Sequence, residues 1–210
     1  MSCDAAGTVA AIRAVAATVA EHKVELTHLD REIGDGDHGE NLSRGFTAVL
    51  TKLDAGDPNN PGAVLKLVAT TLISTVGGAA GPLFGTAFLR AATSVGDADT
   101  LDGAAVAAAL TAARDGVVAR GKAEANDKTM VDALTPAVTA AKSAADGGGG
   151  VGVVLAAAAK AAGAGAEATI PLQARKGRAS YLGERSIGHK DPGATSTAYL
   201  LQALADAAKE

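Results

Sequence analysis

The sequence predicts an all-α fold, a single domain of eight amphipathic helices that spans residues 1–210. Apolar residues make up 48% of the 210-residue chain but aromatic residues only 2%, so the core must be built from Ala, Val and Leu. Ala is the strongest helix former, and small side chains let helices approach closely. Apolar residues recur at steps of three and four, as on one helix face. No run alternates apolar and polar residues in the way a half-buried strand does.

Each predicted helix has an apolar stripe, and several have a residue that marks a helix end. Pro61 suits the first turn of a helix, Asp102 is a capping residue, and Thr129 with Asp132 forms a capping box. Pro136 lies inside the sixth helix and is expected to bend it. The residues after the first helix are assigned to a connection that leads into an acidic loop. The predicted helices cover approximately 9–19, 39–53, 61–72, 83–88, 104–120, 129–145, 151–167 and 194–209.

Composition and charge exclude several classes of protein. The net charge of −4 argues against nucleic acid as a partner. The single cysteine, Cys3, cannot form an internal disulfide and suits a reducing compartment. The N-terminus lacks the pattern of a signal peptide. The longest uninterrupted apolar run, 153–159, is too short for a membrane helix, so the sequence predicts a soluble cytoplasmic protein without membrane association.

The first candidate site is an acidic stretch, GDGDHGE (34–40), together with Asp30 just before it. Asp30, Asp35 and Asp37 can converge if Gly34 and Gly36 let the chain turn sharply. Three carboxylates without thiols or clustered imidazoles favour a hard cation, and Mg²⁺ with a substrate phosphate fits better than a calcium loop. On spacing alone, a solvated acidic turn whose aspartates cap a helix is the leading alternative. A dinucleotide-binding glycine loop is disfavoured because no strand precedes the stretch.

Two further segments could bind an anion. The stretch GGAAGPLFG (77–85) could present backbone N–H groups to phosphate, although it is also a plausible helix–helix turn and lacks the Lys of a P-loop. Residues 175–193 carry five Arg or Lys side chains against two carboxylates, and Arg suits phosphate oxygens; a solvated basic loop is the alternative. An acidic loop together with a basic loop is what metal–polyphosphate binding requires.

The remaining candidates are single residues. Met130 could pack on a flat adenine ring or simply belong to the core. His38 could orient a ligand or merely occupy its turn. No serine or cysteine nucleophile paired with a histidine can be assigned, so the sequence does not predict covalent catalysis.

Four blocks, GDGDHGENLSRGF, GGAAGPLFG, DKTMVDALTPA and ARKGRASYLGERSIGHKDPGATST, resemble in this order the signature blocks of the nucleotide-binding L subunit of dihydroxyacetone kinase. The resemblance runs over residues 32–196. It implies a barrel of eight antiparallel helices with the nucleotide at one end. It also implies tightly bound ADP, which becomes ATP in the phosphorylated state, and two Mg²⁺ ions.

The resemblance also implies residue roles. Asp30, Asp35 and Asp37 would hold the Mg²⁺ ions, and Arg178 would be the catalytic residue that reaches the phosphates. The other implied nucleotide contacts are His38, Gly39, Glu40 and Asn41 at a helix start, Ala79 and Ala80 at the phosphates, Gly121 and Met130 at the adenosine, and Asp191, Pro192 and Gly193, which close the site.

Two residues depart from the family pattern. Ala80 stands where a serine is common, so a hydroxyl contact to phosphate would be lost. Asn126 stands where glycine is expected, but Asn tolerates a positive φ better than most residues do.

The activity implied by the resemblance is phosphoryl transfer to a three-carbon ketose. Dihydroxyacetone would be bound on a separate K subunit, and an M subunit would rephosphorylate the ADP from the phosphoenolpyruvate phosphotransferase system. In the alternative variant, ATP exchanges as an ordinary substrate. A separate chain of this length favours the variant in which ADP stays bound and the M subunit rephosphorylates it. An L subunit for a related ketose and a nucleotide-loaded partner of a transcription regulator stay open, as does a homodimer.

Overall fold

The computed structural model describes residues 3–209 and contains nine α-helices, one 3₁₀ segment and no strand in that range. The predicted all-α fold is confirmed. The elements are α1 (Ala5–Glu21), α2 (Lys23–Ile33), α3 (His38–Ala55), α4 (Pro61–Thr75), α5 (Ala80–Val95), α6 (Gly103–Gly121), α7 (Met130–Asp146), α8 (Val151–Ala168), the 3₁₀ segment (Arg178–Ser186) and α9 (Pro192–Ala207).

Most predicted helix ends are where the capping chemistry placed them. Pro61 occupies the first turn of α4, and the Asp102 carboxylate accepts the backbone N–H of the third residue of α6. Thr129 and Asp132 form the predicted capping box at the start of α7. These side chains satisfy N–H groups that a helix leaves without internal partners.

The structure differs from the prediction at residues 23–33, which form α2 instead of a connection. A single residue, His22, interrupts the helix between α1 and α2. The apolar stripe of α2 is short, and its two most buried apolar residues, Leu26 and Ile33, lie two turns apart. Both α1 and α2 pack against α3 and α9. Within residues 3–209 the ring therefore has eight positions, because α1 and α2 share one of them, although the α-helices number nine.

The helices form a closed barrel. Each helix from α3 to α8 packs against the next one along the chain, and α1 closes the ring by packing against α9 and α3. One half of the core is built from larger side chains such as Leu42, Phe46 and Leu72, which are almost completely buried. In the other half, Ala133 and Ala158 are fully buried between helices, which brings α7 and α8 close together.

The small side chains also leave space inside the barrel. An apolar cavity of about 170 Å³ lies within the ring, and Phe84 and Met130 line both this cavity and the cleft described below. By length and composition α8 could cross a membrane, but one such helix is weak evidence. Val154 and Ala162 of this helix are fully buried in the barrel core, and 39% of the helix is buried.

Candidate functional site

Four helices begin at one cleft at the same end of the barrel. The cleft has a volume of about 410 Å³ and is lined by the first residues of α3, α5, α7 and α9, which are His38, Ala80, Met130 and Pro192. The last residues of α2 and α6 line it too, so neighbouring helices alternate in direction. Each helix start carries partial positive charge and N–H groups without helical partners. Four of them around one cleft favour a bound anion.

The acidic loop forms the second feature of the cleft. Carboxylate oxygens of Asp30, Asp35 and Asp37 lie within 4.8 Å of one another. The turn depends on two glycines: a Cβ on Gly34 would overlap the Asp30 carboxylate, and Gly36 has a φ of +74°. The expectation that these glycines bring the three carboxylates together is therefore met. Three hard oxygen ligands at this spacing suit Mg²⁺ or another hard divalent cation.

Asp30 holds the acidic loop against the start of α3. Its side chain is largely buried, and its Oδ2 accepts the backbone N–H groups of Asp37 at 2.8 Å and His38 at 3.1 Å. Asp35 and Asp37 are exposed. The loop is thus anchored by one buried carboxylate, while the other two carboxylates remain accessible to a cation.

His38 connects α3 to α9. Its Nε2 lies 2.9 Å from Oγ of Ser196, and that hydroxyl lies 3.1 Å from the carbonyl of Gly193. A ring that donates from Nε2, with the serine donating to the carbonyl, satisfies both contacts. Burial lowers the pKa of His38, although Asp30 and Asp37 oppose the shift. His38 is therefore suited to orienting the site as a neutral ring.

Arg178 of the 3₁₀ segment faces the acidic loop. Its Nε lies 3.0 Å from Oδ2 of Asp35, and the two side chains are 69% and 37% exposed. Exposed ion pairs of this kind contribute little to stability, so Arg178 can exchange Asp35 for a phosphate oxygen at small cost. Lys176 and Arg120 also line the cleft. Cationic side chains and carboxylates thus border the same space.

Most predicted site residues lie together in the cleft, but three neighbours on α3 do not. Gly39 packs on α2, where a Cβ would overlap the carbonyl oxygen of Lys23. Glu40 is exposed and pairs with Lys23 at 3.1 Å, and Asn41 is buried and accepts a hydrogen bond from Arg44 at 2.6 Å. The predicted residues that line the cleft are Asp30, Asp35, Asp37, His38, Ala79, Ala80, Gly121, Met130, Arg178, Asp191, Pro192 and Gly193.

The two departures from the family pattern have different consequences. Asn126 has a φ of +68°, so it adopts the left-handed conformation for which asparagine is suited. Ala80 opens α5, whose N-cap residue, Ala79, makes no capping hydrogen bond with its side chain. Backbone N–H groups at this helix start are therefore the donors that the loop offers to an anion.

Sequence reasoning gave no role to two cleft residues, Lys128 and Arg120. Lys128 is part of the quoted DKTM block, but nothing in the sequence shows that its side chain is buried. Arg120 lies in the last turn of α6, directly before Gly121. Its place next to a predicted nucleotide contact was the sequence feature that could have indicated a role at the cleft. The approach of these residues to the cleft depends on helix packing that no local pattern reveals.

Asp191 is a buried carboxylic acid at the start of α9. Its side chain accepts the N–H of Ala194 at 2.7 Å, and its own N–H donates to Oγ1 of Thr169 at 3.0 Å. Burial raises the pKa of Asp191 to about 7; the hydrogen bond from Ala194 and the charge of Lys128 oppose the increase, and Asp132 adds to it. Asp191 therefore changes charge near neutral pH.

This pKa predicts a loss of stability as the pH rises through 7. Because the pKa of Asp191 is 3.8 when unperturbed and about 7 when folded, the folded state binds an extra proton between these values, and its contribution is lost above 7. His38 has the opposite effect, but only below its ordinary pKa of 6.5. Between pH 6.5 and 8 the free energy of unfolding should fall by about 1 kcal/mol from this group.

The measurement is thermal unfolding at pH 6.5 and pH 8 in the presence of EDTA, for the wild type and Asp191→Asn. An asparagine can still cap α9 but carries no charge. The variant should show a smaller decrease between the two pH values. Equal decreases in the two proteins would contradict the assignment of this titration to Asp191.

Comparison with known proteins places the chain in a family. Residues 32–206 match the model of the DAK2 domain. The chain is 51% identical over 185 residues to the PEP-dependent dihydroxyacetone kinase, ADP-binding subunit DhaL, of Escherichia coli K12, with 88% of each chain covered. It is 40% identical to the PTS-dependent dihydroxyacetone kinase, ADP-binding subunit DhaL, of Lactococcus lactis, over 89% of this chain and 88% of that one.

Longer proteins also match. L-erythrulose 1-kinase of Mycolicibacterium smegmatis is 38% identical over 89% of this chain, which corresponds to 33% of that protein. The crystal structure of the dihydroxyacetone kinase of C. freundii aligns with a TM-score of 0.73 at 27% identity, over 98% of this chain and 35% of that one. The complex of the C. freundii enzyme with AMP-PNP and Mg²⁺ gives a TM-score of 0.72. The chain belongs to the DAK2-domain family, among the ADP-binding DhaL subunits of dihydroxyacetone kinases.

Proposed function

We propose that this chain is the ADP-binding subunit of a phosphoenolpyruvate-dependent dihydroxyacetone kinase. The observation that carries the proposal is the juxtaposition of Asp30, Asp35 and Asp37 with Arg178 in a cleft where four helices begin. Such a cleft has ligands for a hard cation and donors for phosphate oxygens at the same place. The names of the free-standing relatives support the nucleotide, and the C. freundii complex supports nucleotide with magnesium.

The three aspartates would hold two Mg²⁺ ions, which when bound neutralise charge on the diphosphate and on the transferred phosphoryl group. Other residues that line the cleft would bind ADP tightly next to these ions. The N–H groups of Ala79 and Ala80 would contact the phosphates, and Gly121 and Met130, which line the same cleft, would border the adenosine. Gly193 and its neighbours Asp191 and Pro192 close the cleft at the start of α9. Gly39, Glu40 and Asn41 would act from behind the cleft by fixing the start of α3.

The chain would catalyse transfer mainly by positioning the reacting groups. Phosphoryl transfer is accelerated mainly by alignment of the reacting groups and by neutralisation of their charge, and little by covalent chemistry with the protein. Arg178, with 69% of its side chain exposed, can reach a group presented from outside the chain. The phosphate would pass from an M subunit to the ADP and then to dihydroxyacetone on a K subunit, giving dihydroxyacetone phosphate. This phosphate transfer would take place in the cytoplasm.

The lengths of the relatives favour this donor over ATP. The similar proteins that the chain covers to 88% have PEP-dependent or PTS-dependent names, whereas the erythrulose kinase is about three times longer. The erythrulose kinase nevertheless supports a second candidate, an ATP-dependent L subunit for a related ketose.

Two further hypotheses are a role as a nucleotide-loaded partner of a transcription regulator and a homodimeric state. Co-purification with a regulator but no kinase subunit would favour the regulator role.

The test is reconstitution with the K and M partner proteins. Formation of dihydroxyacetone phosphate is measured with phosphoenolpyruvate and the general phosphotransferase proteins, and separately with ATP alone. We expect turnover with phosphoenolpyruvate that requires the M protein, and at most a single turnover with ATP. Multiple turnovers with ATP in the absence of M would instead support the exchanging, ATP-dependent variant.

A further inference from the structure

Lys128 is one of the largest fully buried side chains among residues 3–209, with an exposure of 1%. Its ammonium nitrogen lies in a cage of backbone carbonyl oxygens. Nζ lies 2.7 Å from the carbonyl oxygen of Ser186, 3.0 Å from those of Thr169 and Leu172, and 3.3 Å from that of Ile170, so its three N–H groups are shared among four acceptors. No carboxylate of the described residues lies within 4 Å of Nζ.

Carbonyl groups at two helix ends compensate this buried charge. Thr169 directly follows α8, and Ser186 is the last residue of the 3₁₀ segment. The carbonyl of Thr169 also accepts the N–H of Leu172, and that of Ile170 the N–H of Gly188, but a carbonyl oxygen has two lone pairs and can accept the ammonium group as well. An ammonium group has three donors and no acceptor, so it can serve several carbonyls at once. A buried charge is otherwise costly, which argues that Lys128 has a specific task.

The contacts of Lys128 hold the segment of residues 169–191, which contains the arginine and lysine side chains of the basic loop, Arg178 among them. Lys128 binds the beginning of the segment through Thr169 and its later part through Ser186. Neighbouring contacts strengthen the same attachment: the N–H of Arg175 donates to the carbonyl of Asp127 at 3.0 Å, and the Ser186 hydroxyl accepts the N–H of the residue before Arg175 at 2.8 Å. The part between these attachments includes Arg178.

The backbone of Lys128 leads in the opposite direction, into the cleft. Its φ of +62° is unusual for a residue with a side chain. This conformation lets the side chain reach the end of α8 while the chain continues through Thr129 to Met130, which lines the cleft. Lys128 therefore joins the segment that carries Arg178 to the start of the helix that carries Met130.

We propose that Lys128 is a positioning residue that holds Arg178 at the diphosphate by joining Thr169 to Ser186, the two points of the 169–191 segment that flank Arg178. The inference rests on the proposed function, since it assumes that Mg·ADP occupies the cleft. Lys128 also borders the cleft, but its ammonium group contacts carbonyls of the segment, so its effect on the nucleotide should depend on Arg178 being present.

A double-mutant cycle tests this dependence. The dissociation constant of ADP at saturating Mg²⁺ is measured for the wild type, Lys128→Met, Arg178→Ala and the double variant, each freed of bound nucleotide. Lys128→Met should weaken binding about tenfold, and the same substitution in the Arg178→Ala protein should change it less than about twofold. An equal loss in both backgrounds would overturn the proposal, because a merely structural role does not depend on Arg178.

Lys122→Met is the matched control, since Lys122 lies in the same connection between α6 and α7, has a φ of +52° and is exposed. It should bind ADP as the wild type does. If Lys128→Met does not fold, Lys128→Gln replaces it in the cycle, because an amide keeps two of the donors.

Limited trypsin digestion separates this inference from the proposed function. The segment contains Arg175, Lys176, Arg178 and Arg185 as cleavage sites. In the absence of nucleotide, Lys128→Gln should be cut there at least several times faster than the wild type while its circular dichroism is unchanged. Equal cleavage rates would overturn the role of Lys128. A wild-type protein that binds no Mg·ADP would contradict the proposed function, whatever the digestion shows.

Discussion

Replacing Asp35 by alanine is expected to abolish Mg²⁺-dependent ADP binding while the helices remain folded. Asp35 is exposed, and its ion pair with Arg178 is also largely exposed, so the fold loses little stability. The proposed metal site, by contrast, loses one of three protein ligands. Because the metal ions would offset the repulsion between the acidic loop and the diphosphate, we expect affinity for ADP to fall by about 10²-fold or more.

The measurement is isothermal titration of ADP at saturating Mg²⁺ into protein from which the bound nucleotide has been removed, with circular dichroism as the check on folding. Asp99→Ala is the matched control. Asp99 is an exposed aspartate in the connection between α5 and α6, and α5 begins at the cleft and leads away from it. It should bind ADP normally. Unchanged ADP affinity in Asp35→Ala would refute the metal role of the acidic loop.

Arg178→Ala is expected to slow phosphoryl transfer to dihydroxyacetone by about 10³-fold, and more than it weakens ADP binding. An arginine that meets the transferred group stabilises charge that develops in the transition state. Arg178→Lys should recover only part of the rate, because an ammonium cannot reproduce the planar fork of a guanidinium. Single-turnover transfer from the phosphorylated subunit to the K partner measures the effect.

The control for this variant lies on the same 3₁₀ segment. Arg185→Ala removes an exposed arginine that does not line the cleft, and it should retain most of the transfer rate. If Arg178→Ala and Arg185→Ala slowed transfer equally, the basic segment would act through its overall charge and not through Arg178.

The sequence was sufficient for the features that local chemistry determines. The capping box of Thr129 and Asp132 and the cap by Asp102 gave helix starts that the structure shares. The glycines at 34 and 36 indicated that the acidic loop could bring its carboxylates together, and the oxygens do lie close to one another. In each case a short stretch of chain contains all the interacting groups.

Features that depend on packing between distant segments were not predictable in the same way. The helix α2 was missed because its stripe is short and becomes apparent only where Leu26 and Ile33 are buried. The cage around Lys128 unites carbonyl groups 41 to 58 residues away, which no local pattern could indicate. The resemblance to a family also did not show that Asn41 would lie outside the lining of the cleft.

The most direct test of the account is the nucleotide and metal content of the protein as purified without added nucleotide. The protein is denatured, and the supernatant is compared with ADP and ATP standards on an anion-exchange column, with magnesium measured in the same sample. The account predicts close to one ADP per chain together with Mg²⁺. A protein that is empty and does not take up ADP when Mg²⁺ is supplied would contradict it.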